Sequence, residues 1–325
     1  PSTYVWSVSA LANLFAAAGS RIRLLVQLGF TAATNSYVKG FADGRIYIGS
    51  LKSACVPGLS CYSCPGALGS CPVGALQAVL ASRNYSFSFY LTGFFLMVGA
   101  AFGRFICGWL CPFGLVQDLL HKIPLGRKIR AVKGDRYLRL LKYGILLGFV
   151  ILLPLFVVDF VGQGEPWFCK WICPSGTLMA GWPLVLLNNG IRQAAGFLFV
   201  WKSLILIVLI VLSIFLYRPF CKYLCPLGAI YGLFNPIALY RFRIDQGKCT
   251  NCNACQRACK MNIQVKKNPN SMECIRCGDC ISACRPKALA RRSLRRFHRG
   301  ILSAKNSCNG SIKNNFCDRI DEMYG

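Results

Sequence analysis

The chain has 325 residues, of which 54% are hydrophobic and only 15% are charged. This composition is too apolar for two ordinary soluble domains and indicates a membrane protein. The net charge of +27 in so apolar a chain is typical of basic cytoplasmic loops and argues against nucleic-acid binding. Twenty cysteines exceed what packing requires, and a disulfide scaffold belongs to short secreted chains without a core. Thiolate ligation of metal is the remaining interpretation.

Four segments are predicted to cross the membrane. Three of them reach the roughly 20 apolar residues that a bilayer requires, and they cover 87–106, 143–161 and 197–217. The fourth segment, 24–41, carries several polar side chains and is expected to pack against protein as well as lipid.

Basic residues set the predicted orientation. Eight Lys and Arg lie between residues 112 and 142, against two between 164 and 196. Because cytoplasmic loops carry the excess of Lys and Arg, the 112–142 loop is predicted to be cytoplasmic. Four spans then place both termini inside and residues 42–86 and 162–196 on the outer side. Twenty further Lys and Arg after Tyr217 agree with a cytoplasmic C-terminal region.

The tetrapeptide Cys-Pro-x-Gly occurs four times. Its copies begin at Cys71, Cys111, Cys173 and Cys225. Each opens a mostly apolar stretch, which predicts a half-helix with proline in its first turn. A helix N-terminus favours an anionic neighbour such as a thiolate-bound cluster. The last three copies have a second cysteine four residues earlier, namely Cys107, Cys169 and Cys221. The first copy instead follows three cysteines at wider spacing, Cys55, Cys61 and Cys64.

Two cysteine runs near the C-terminus have the spacing Cys-x2-Cys-x2-Cys-x3-Cys. In bacterial ferredoxins with this spacing, three cysteines of one run and the fourth of the other hold each [4Fe-4S] cluster. Zinc is disfavoured, because zinc modules use two separated pairs and no histidine lies nearby. The predicted ligand sets are Cys249, Cys252, Cys255 with Cys284, and Cys274, Cys277, Cys280 with Cys259.

The remaining grouped cysteines divide by their predicted side of the membrane. One Cys-x3-Cys pair supplies two thiolates, so a cluster needs a second pair from the same side. The predicted topology brings Cys107/Cys111 and Cys221/Cys225 together at cytoplasmic ends, as four ligands for one [4Fe-4S] cluster. Six thiols remain outside, where we expect one cluster and two spare thiols or a disulfide, with the choice of ligands open: Cys55, Cys61, Cys64, Cys71, Cys169 and Cys173. Cys308 and Cys317, in a polar tail, are predicted to be unligated.

These motifs resemble the membrane polyferredoxins of the NapH and NosR type over residues 86–290. The resemblance rests on the order of spans, on Cys107-Gly-Trp-Leu-Cys-Pro, on Cys221-Lys-Tyr-Leu-Cys-Pro-Leu-Gly-Ala and on the double ferredoxin run. It implies a membrane-bound electron-transfer subunit that serves a quinone pool or an extracytoplasmic redox protein. The inner pairs and all eight ferredoxin cysteines match this pattern position by position. The outer cysteines go beyond the nitrate-reductase version, which argues against direct quinol oxidation and favours a path across the membrane.

The fold class that follows is an α-helical membrane protein fused to a small α+β ferredoxin domain. About four transmembrane helices and the Cys-Pro half-helices form a membrane domain over 1–240. A cytoplasmic 2[4Fe-4S] ferredoxin domain covers 241–290, and a basic tail covers 291–325.

The expected function is electron transfer within a multi-pass protein of the inner, cytoplasmic membrane. The chain is expected to act as an electron-transfer subunit of an oxidoreductase complex, with two clusters in the ferredoxin domain and two in the membrane domain. Its expected partners are other redox subunits, a flavoprotein among them, the lipid bilayer and a quinone pool, with no nucleic acid. Two alternatives stay open: an iron-sulfur assembly factor that reduces metal, and a membrane redox sensor.

Overall fold

The computed structural model describes residues 20–82, 88–125, 128–130, 132–158 and 164–292. Apart from 291–292, the predicted basic tail lies outside these residues, as do Cys308 and Cys317. Within the described ranges the fold is mainly helical, with one two-stranded sheet near their C-terminal end.

The first half of the described chain contains six helices and a 3-10 turn at Ser50–Ser53. In chain order the helices are α1 Ser20–Thr34, α2 Lys39–Asp43, α3 Pro72–Leu80, α4 Phe89–Phe102, α5 Phe105–Trp109 and α6 Pro112–Lys122.

The second half holds the longest helices and, after them, the ferredoxin segment. The helices before the sheet are α7 Asp135–Phe156, α8 Trp167–Trp171, α9 over 174–187, α10 Asn189–Gln193, α11 Phe197–Phe215, α12 Pro219–Tyr223 and α13 Pro226–Phe234. Two strands enclose the ferredoxin segment, with a 3-10 turn and two short helices between them: β1 Arg241–Ile244, Gln246–Lys248, α14 Ala254–Ala258, α15 Asp279–Ser282 and β2 Leu289–Arg292.

Two described helices, α7 and α11, are long and apolar enough to cross a membrane. The other two predicted spans are shorter than the roughly 20 residues required, since α4 has 14 residues and α1 has 15. Helix α4 ends at Gly103, whose φ of +52° leaves the helical region. Helix α1 ends where the side chains of Thr34 and Asn35 bond the carbonyl oxygens of Phe30 and Thr31. The predicted number of four spans is therefore not reached in the described residues.

Helices α7 and α9 each contain a π-helical segment followed by a proline. The segments are Leu146–Leu152, before Pro154, and Thr177–Gly181, before Pro183. Proline has no N–H, and its ring conflicts with the carbonyl group four residues earlier. A π-helical turn forms hydrogen bonds between residues five apart instead of four. The carbonyl group before each proline is thereby accommodated, and both helices continue past their prolines.

All four Cys-Pro-x-Gly copies begin a helix, as predicted. In α3, α6, α9 and α13 the cysteine is the residue that precedes the first turn and the proline is the first helical residue. Proline is favoured there, because its missing N–H has no partner within the helix in any case. The cysteine side chains are therefore held at helix starts, on rigid segments.

The core of the Cys-Pro helices continues into the ferredoxin segment. Strands β1 and β2 pair antiparallel, with Arg241 opposite Arg292 and Ile244 opposite Leu289. Phe242 and Leu289 belong to the same cluster of buried residues as Phe113 and Leu206 of the helical region. The helical region and the ferredoxin segment thus share one continuous core.

Candidate iron-sulfur sites

The ferredoxin cysteines line two small cavities. Three cysteines of each run share a cavity with the last cysteine of the other run, which is the exchange that the spacing predicts. The first ferredoxin set is Cys249, Cys252, Cys255 and Cys284, and the second is Cys259, Cys274, Cys277 and Cys280.

The two ferredoxin sets differ in their exposure. Cys252 of the first set is exposed, and the backbone N–H of Ala254 and the Thr250 hydroxyl lower the pKa of its thiol. Cys277 lies in the second set, where burial raises the pKa of its thiol to about 12. The first set therefore faces the surface and the second faces the interior.

Four membrane cysteines form a fully buried group, here called the inner site: Cys107, Cys111, Cys221 and Cys225. The thiol of Cys225 interacts electrostatically with those of the other three. Helices α5 and α12 carry the first cysteine of each pair, and α6 and α13 begin immediately after the second. The structure thus brings together the two pairs that the predicted topology joins.

Two buried arginines hold the inner site from opposite halves. Arg104 donates from Nη2 to the carbonyl oxygen of Cys221 at 2.9 Å, and Arg218 donates from Nη1 to the carbonyl oxygen of Cys107. Each arginine lies three residues before one cysteine pair and bonds the other pair. The two halves are therefore related by an approximate two-fold repetition, and each one fixes the backbone of its counterpart.

Carboxylates compensate these arginines, and each carboxylate is shared by two cations. Glu273 pairs with Arg104 at 2.9 Å and with Lys142 at 2.5 Å. Asp118 pairs with Arg218 at 2.5 Å and with Arg23 at 3.5 Å. Burial alone would raise the pKa of Asp118, but the guanidinium of Arg218, with that of Arg23, holds this pKa below its usual value. One positive charge remains in excess around Glu273, which suits a site for four thiolates, whereas Arg23 has a second carboxylate partner in Asp279 at 3.9 Å.

A buried glutamine completes the inner site. Gln117 donates from Nε2 to the Cys221 sulfur at 3.1 Å and accepts from the backbone N–H of Phe220 at 3.2 Å. Hydrogen bonds to ligand sulfurs are among the features that set iron-sulfur potentials. The sequence analysis did not identify Gln117 or the ion pairs of Arg104 and Arg218. The only indication in the sequence was that charged residues lie beside apolar segments.

Four of the six outer cysteines also lie together, and they are here called the outer site: Cys61, Cys71, Cys169 and Cys173. The Cys169 thiol interacts electrostatically with the other three. Cys64 instead donates from its sulfur to the carbonyl oxygen of Met179 at 3.2 Å, and Cys55 bonds Tyr90 through its backbone N–H. All 18 cysteines of the described chain are free thiols, so the structure contains no disulfide among them.

Among the described residues, no three Cys, His, Asp or Glu side chains converge closely enough to hold a single metal ion. A [4Fe-4S] cubane takes four cysteine thiolates. Each site has four thiols, and the ferredoxin sets enclose a cavity, so the residues present fit such a cluster.

The second ferredoxin set lies directly against the inner site. Gly108, next to Cys107, allows this approach, because a Cβ there would collide with the carbonyl oxygen of Ile275, next to Cys274. Trp109 donates from Nε1 to the carbonyl oxygen of Arg276 at 3.1 Å. The glycine of the Cys-Gly-Trp sequence is thus required by the docking of the ferredoxin segment.

The inner and outer sites are also adjacent. The loop before Cys61 packs against the inner site, since a Cβ built on Gly58 would be 3.2 Å from the Cα of Cys111, and an extended chain places Cys61 within about 11 Å of Gly58. Tyr231 is fully buried, donates to the carbonyl oxygen of Pro57 at 3.1 Å, and interacts electrostatically with thiols of both sites, Cys111 and Cys71 among them. The loop that leads into Cys61 therefore bridges the two sites.

Comparison with known proteins points to one class. A family model described as a 4Fe-4S binding domain matches residues 84–132, 143–186 and 198–245. An uncharacterised protein of Methanocaldococcus jannaschii is 28% identical over 58% of this chain and 64% of its own length. The ferredoxin-type protein NapH of Haemophilus influenzae is 29% identical over 64% of this chain and 70% of its own length. The regulatory protein NosR of Pseudomonas aeruginosa is 27% identical over 54% of this chain, which covers only 22% of that protein.

The predicted resemblance to polyferredoxins of the NapH and NosR type is confirmed by these matches. The chain spans less than two thirds of the length of several of these relatives. No solved structure matches it.

Proposed function

We propose that this chain is a membrane-embedded iron-sulfur electron-transfer subunit that passes electrons between a cytoplasmic donor and an extracytoplasmic redox partner or a quinone pool. The observation that carries the proposal is the continuous order of four thiol sets, from an exposed cysteine to the outer site. The relatives' printed names support it, since they include ferredoxin-type proteins and a putative electron transport protein.

In this proposal each thiol set holds one [4Fe-4S] cluster. Bound clusters supply one-electron carriers that change charge with little rearrangement. The protein contributes burial, which excludes water, and fixed hydrogen bonds to the ligands. Gln117 at Cys221 and Gln77, which donates to Cys169 at 3.2 Å, are two such bonds to sulfur.

Exposure and contact support an order of the four sets along the path. Cys252 is exposed and belongs to the first ferredoxin set, which is suited to meet a donor. The second ferredoxin set touches the inner site through Ile275 and Gly108, and the inner site touches the loop that leads into Cys61 at Gly58. Each step therefore involves neighbouring segments of the chain.

Membrane placement is part of the same proposal. Helices α7 and α11 have the length and composition of spans, and the basic 112–142 loop marks the cytoplasmic side. The ferredoxin domain then lies in the cytoplasm, within an inner-membrane redox complex that contains further subunits, a flavoprotein among them.

The cluster count gives a direct test. Four cubanes correspond to about 16 irons and as many sulfides per chain. Iron and acid-labile sulfide, measured anaerobically on purified protein, should reach this number. A fully loaded preparation with about eight irons would limit clusters to the ferredoxin segment and contradict the membrane sites.

The route gives a second test. Proteoliposomes with a reductant sealed inside and an impermeant acceptor outside should reduce that acceptor when the ferredoxin segment faces the lumen. Liposomes without protein are the control for leakage. Reduction of the clusters that never reaches the outer acceptor, with the native partner subunits present, would contradict a transmembrane path.

A further inference from the structure

The inner and outer sites share hydrogen bonds that their cysteine spacing does not reveal. Gln77 lies six residues after Cys71, as Gln117 lies six after Cys111. Gln77 accepts from the backbone N–H of Phe168 at 3.0 Å and donates to Cys169. Gln117 makes the same two bonds to Phe220 and Cys221. The two sites are therefore copies of one arrangement.

Cations that bond the cysteine-loop carbonyl groups repeat as well. Lys202 donates to the carbonyl oxygen of Cys169 at 3.1 Å, which is the bond that Arg104 makes to Cys221 in the inner site. Lys52 donates to the carbonyl oxygen of Ala67 at 2.8 Å, and Arg218 makes the corresponding bond to Cys107. The carbonyl oxygens of Cys169 and Ala67 thus each accept from a cation, as the carbonyl oxygens at the corresponding inner positions do.

The outer site differs from the inner site at one of the four cysteine positions. Ala67 lies four residues before Cys71, as Cys107 lies four before Cys111, so the outer site lacks one thiol of the arrangement. Cys61 lies against the opposite half of the outer site: its sulfur would be 3.2 Å from a Cβ built on Gly176, in the Cys173-Pro-Ser-Gly helix start. Its thiol also interacts electrostatically with those of Cys71, Cys169 and Cys173.

We propose that Cys61, Cys71, Cys169 and Cys173 hold the outer [4Fe-4S] cluster, with Cys61 supplied by a loop in place of the thiol that Ala67 lacks. This assignment rests on the proposed electron-transfer function. Cys64 is not a ligand, because its sulfur is directed to the carbonyl oxygen of Met179. Cys55 is not a ligand either, because its thiol bonds the Tyr90 side chain and is not among the thiols that interact with Cys71, Cys169 and Cys173.

Matched alanine variants of Cys61 and Cys64 test the assignment by iron content and electron paramagnetic resonance of the reduced protein. Cys61→Ala should lose about four irons and one cluster signal, whereas Cys64→Ala should keep all clusters. An unchanged iron content in Cys61→Ala, or loss of the same signal in Cys64→Ala, would overturn the assignment.

A rescue separates loss of a ligand from damage to the loop. Ala67→Cys restores the thiol at the position of Cys107, so the Cys61→Ala/Ala67→Cys chain should regain about four irons and the missing signal. A double variant that stays without the cluster would overturn the shared arrangement. Cys111→Ala serves as the reference: if it also retains all iron, the proposed function fails, whereas failure of the Cys61 series alone concerns only the outer site.

Discussion

Replacing Cys111 by alanine is expected to remove the inner cluster and to stop electron flow from the ferredoxin segment to the outer site. Cys111 contributes one of four thiols in a buried group, next to the Gly58 loop that leads to the outer site. One substitution thus removes a ligand in the middle of the route that the described residues provide. Iron should fall by about four per chain, and transfer across proteoliposomes should fall to the level of empty vesicles.

Two further variants make this prediction specific. Cys225→Ala should remove the same resonance signal as Cys111→Ala, because the two thiols interact within one site. Cys55→Ala should leave the signals unchanged, since the Tyr90 hydroxyl is the partner of the Cys55 thiol and no thiol of either site is. Loss of different signals in Cys111→Ala and Cys225→Ala would mean that the two pairs serve separate centres.

The ferredoxin sets were predictable from the sequence because their information is local. A spacing of two and three residues allows a short loop to surround a cubane, and the exchange of the fourth cysteine follows from the pairing of the two runs. The starts of the Cys-Pro helices were predictable for a similar reason, since proline restricts the backbone at its own position.

The outer ligands were not predictable in this way. Cys61 and Cys64 lie three residues apart in the same loop, and only the tertiary contact with Met179 distinguishes them. The nearness of the two membrane sites also needed the structure, in which Tyr231 interacts electrostatically with thiols of both.

Charge compensation required the structure because its partners are distant in sequence. Arg104 and Glu273 are 169 residues apart, and Arg218 and Asp118 are 100 apart. No periodic pattern relates such residues. Their pairing depends on the docking of the ferredoxin segment and on the contact of α6 with α11, which form only in the folded chain.

The second large effect is expected for Asp118→Asn. Asp118 accepts two hydrogen bonds from Arg218, at Oδ1 and Oδ2, and also pairs with Arg23. Arg218 is fully buried, so loss of the carboxylate leaves its charge without a counter-ion, at a cost of about 3–5 kcal/mol. Because Arg218 also bonds the carbonyl oxygen of Cys107, the loss should reach the inner site. Denaturant unfolding in detergent should show the lower stability, and the inner-site resonance signal should shift or disappear.

Asp245→Asn is the matched control for this variant. Asp245 pairs with Lys248 at 3.9 Å, and both side chains are more than half exposed. Exposed pairs of this kind contribute about 0–1 kcal/mol, and an asparagine at 245 retains an oxygen for the Gly247 N–H. The control should therefore unfold within about 1 kcal/mol of the unchanged protein. Equal stability of Asp118→Asn and Asp245→Asn would mean that Arg218 finds another partner, and that the Asp118 carboxylate is not what holds the guanidinium against Cys107.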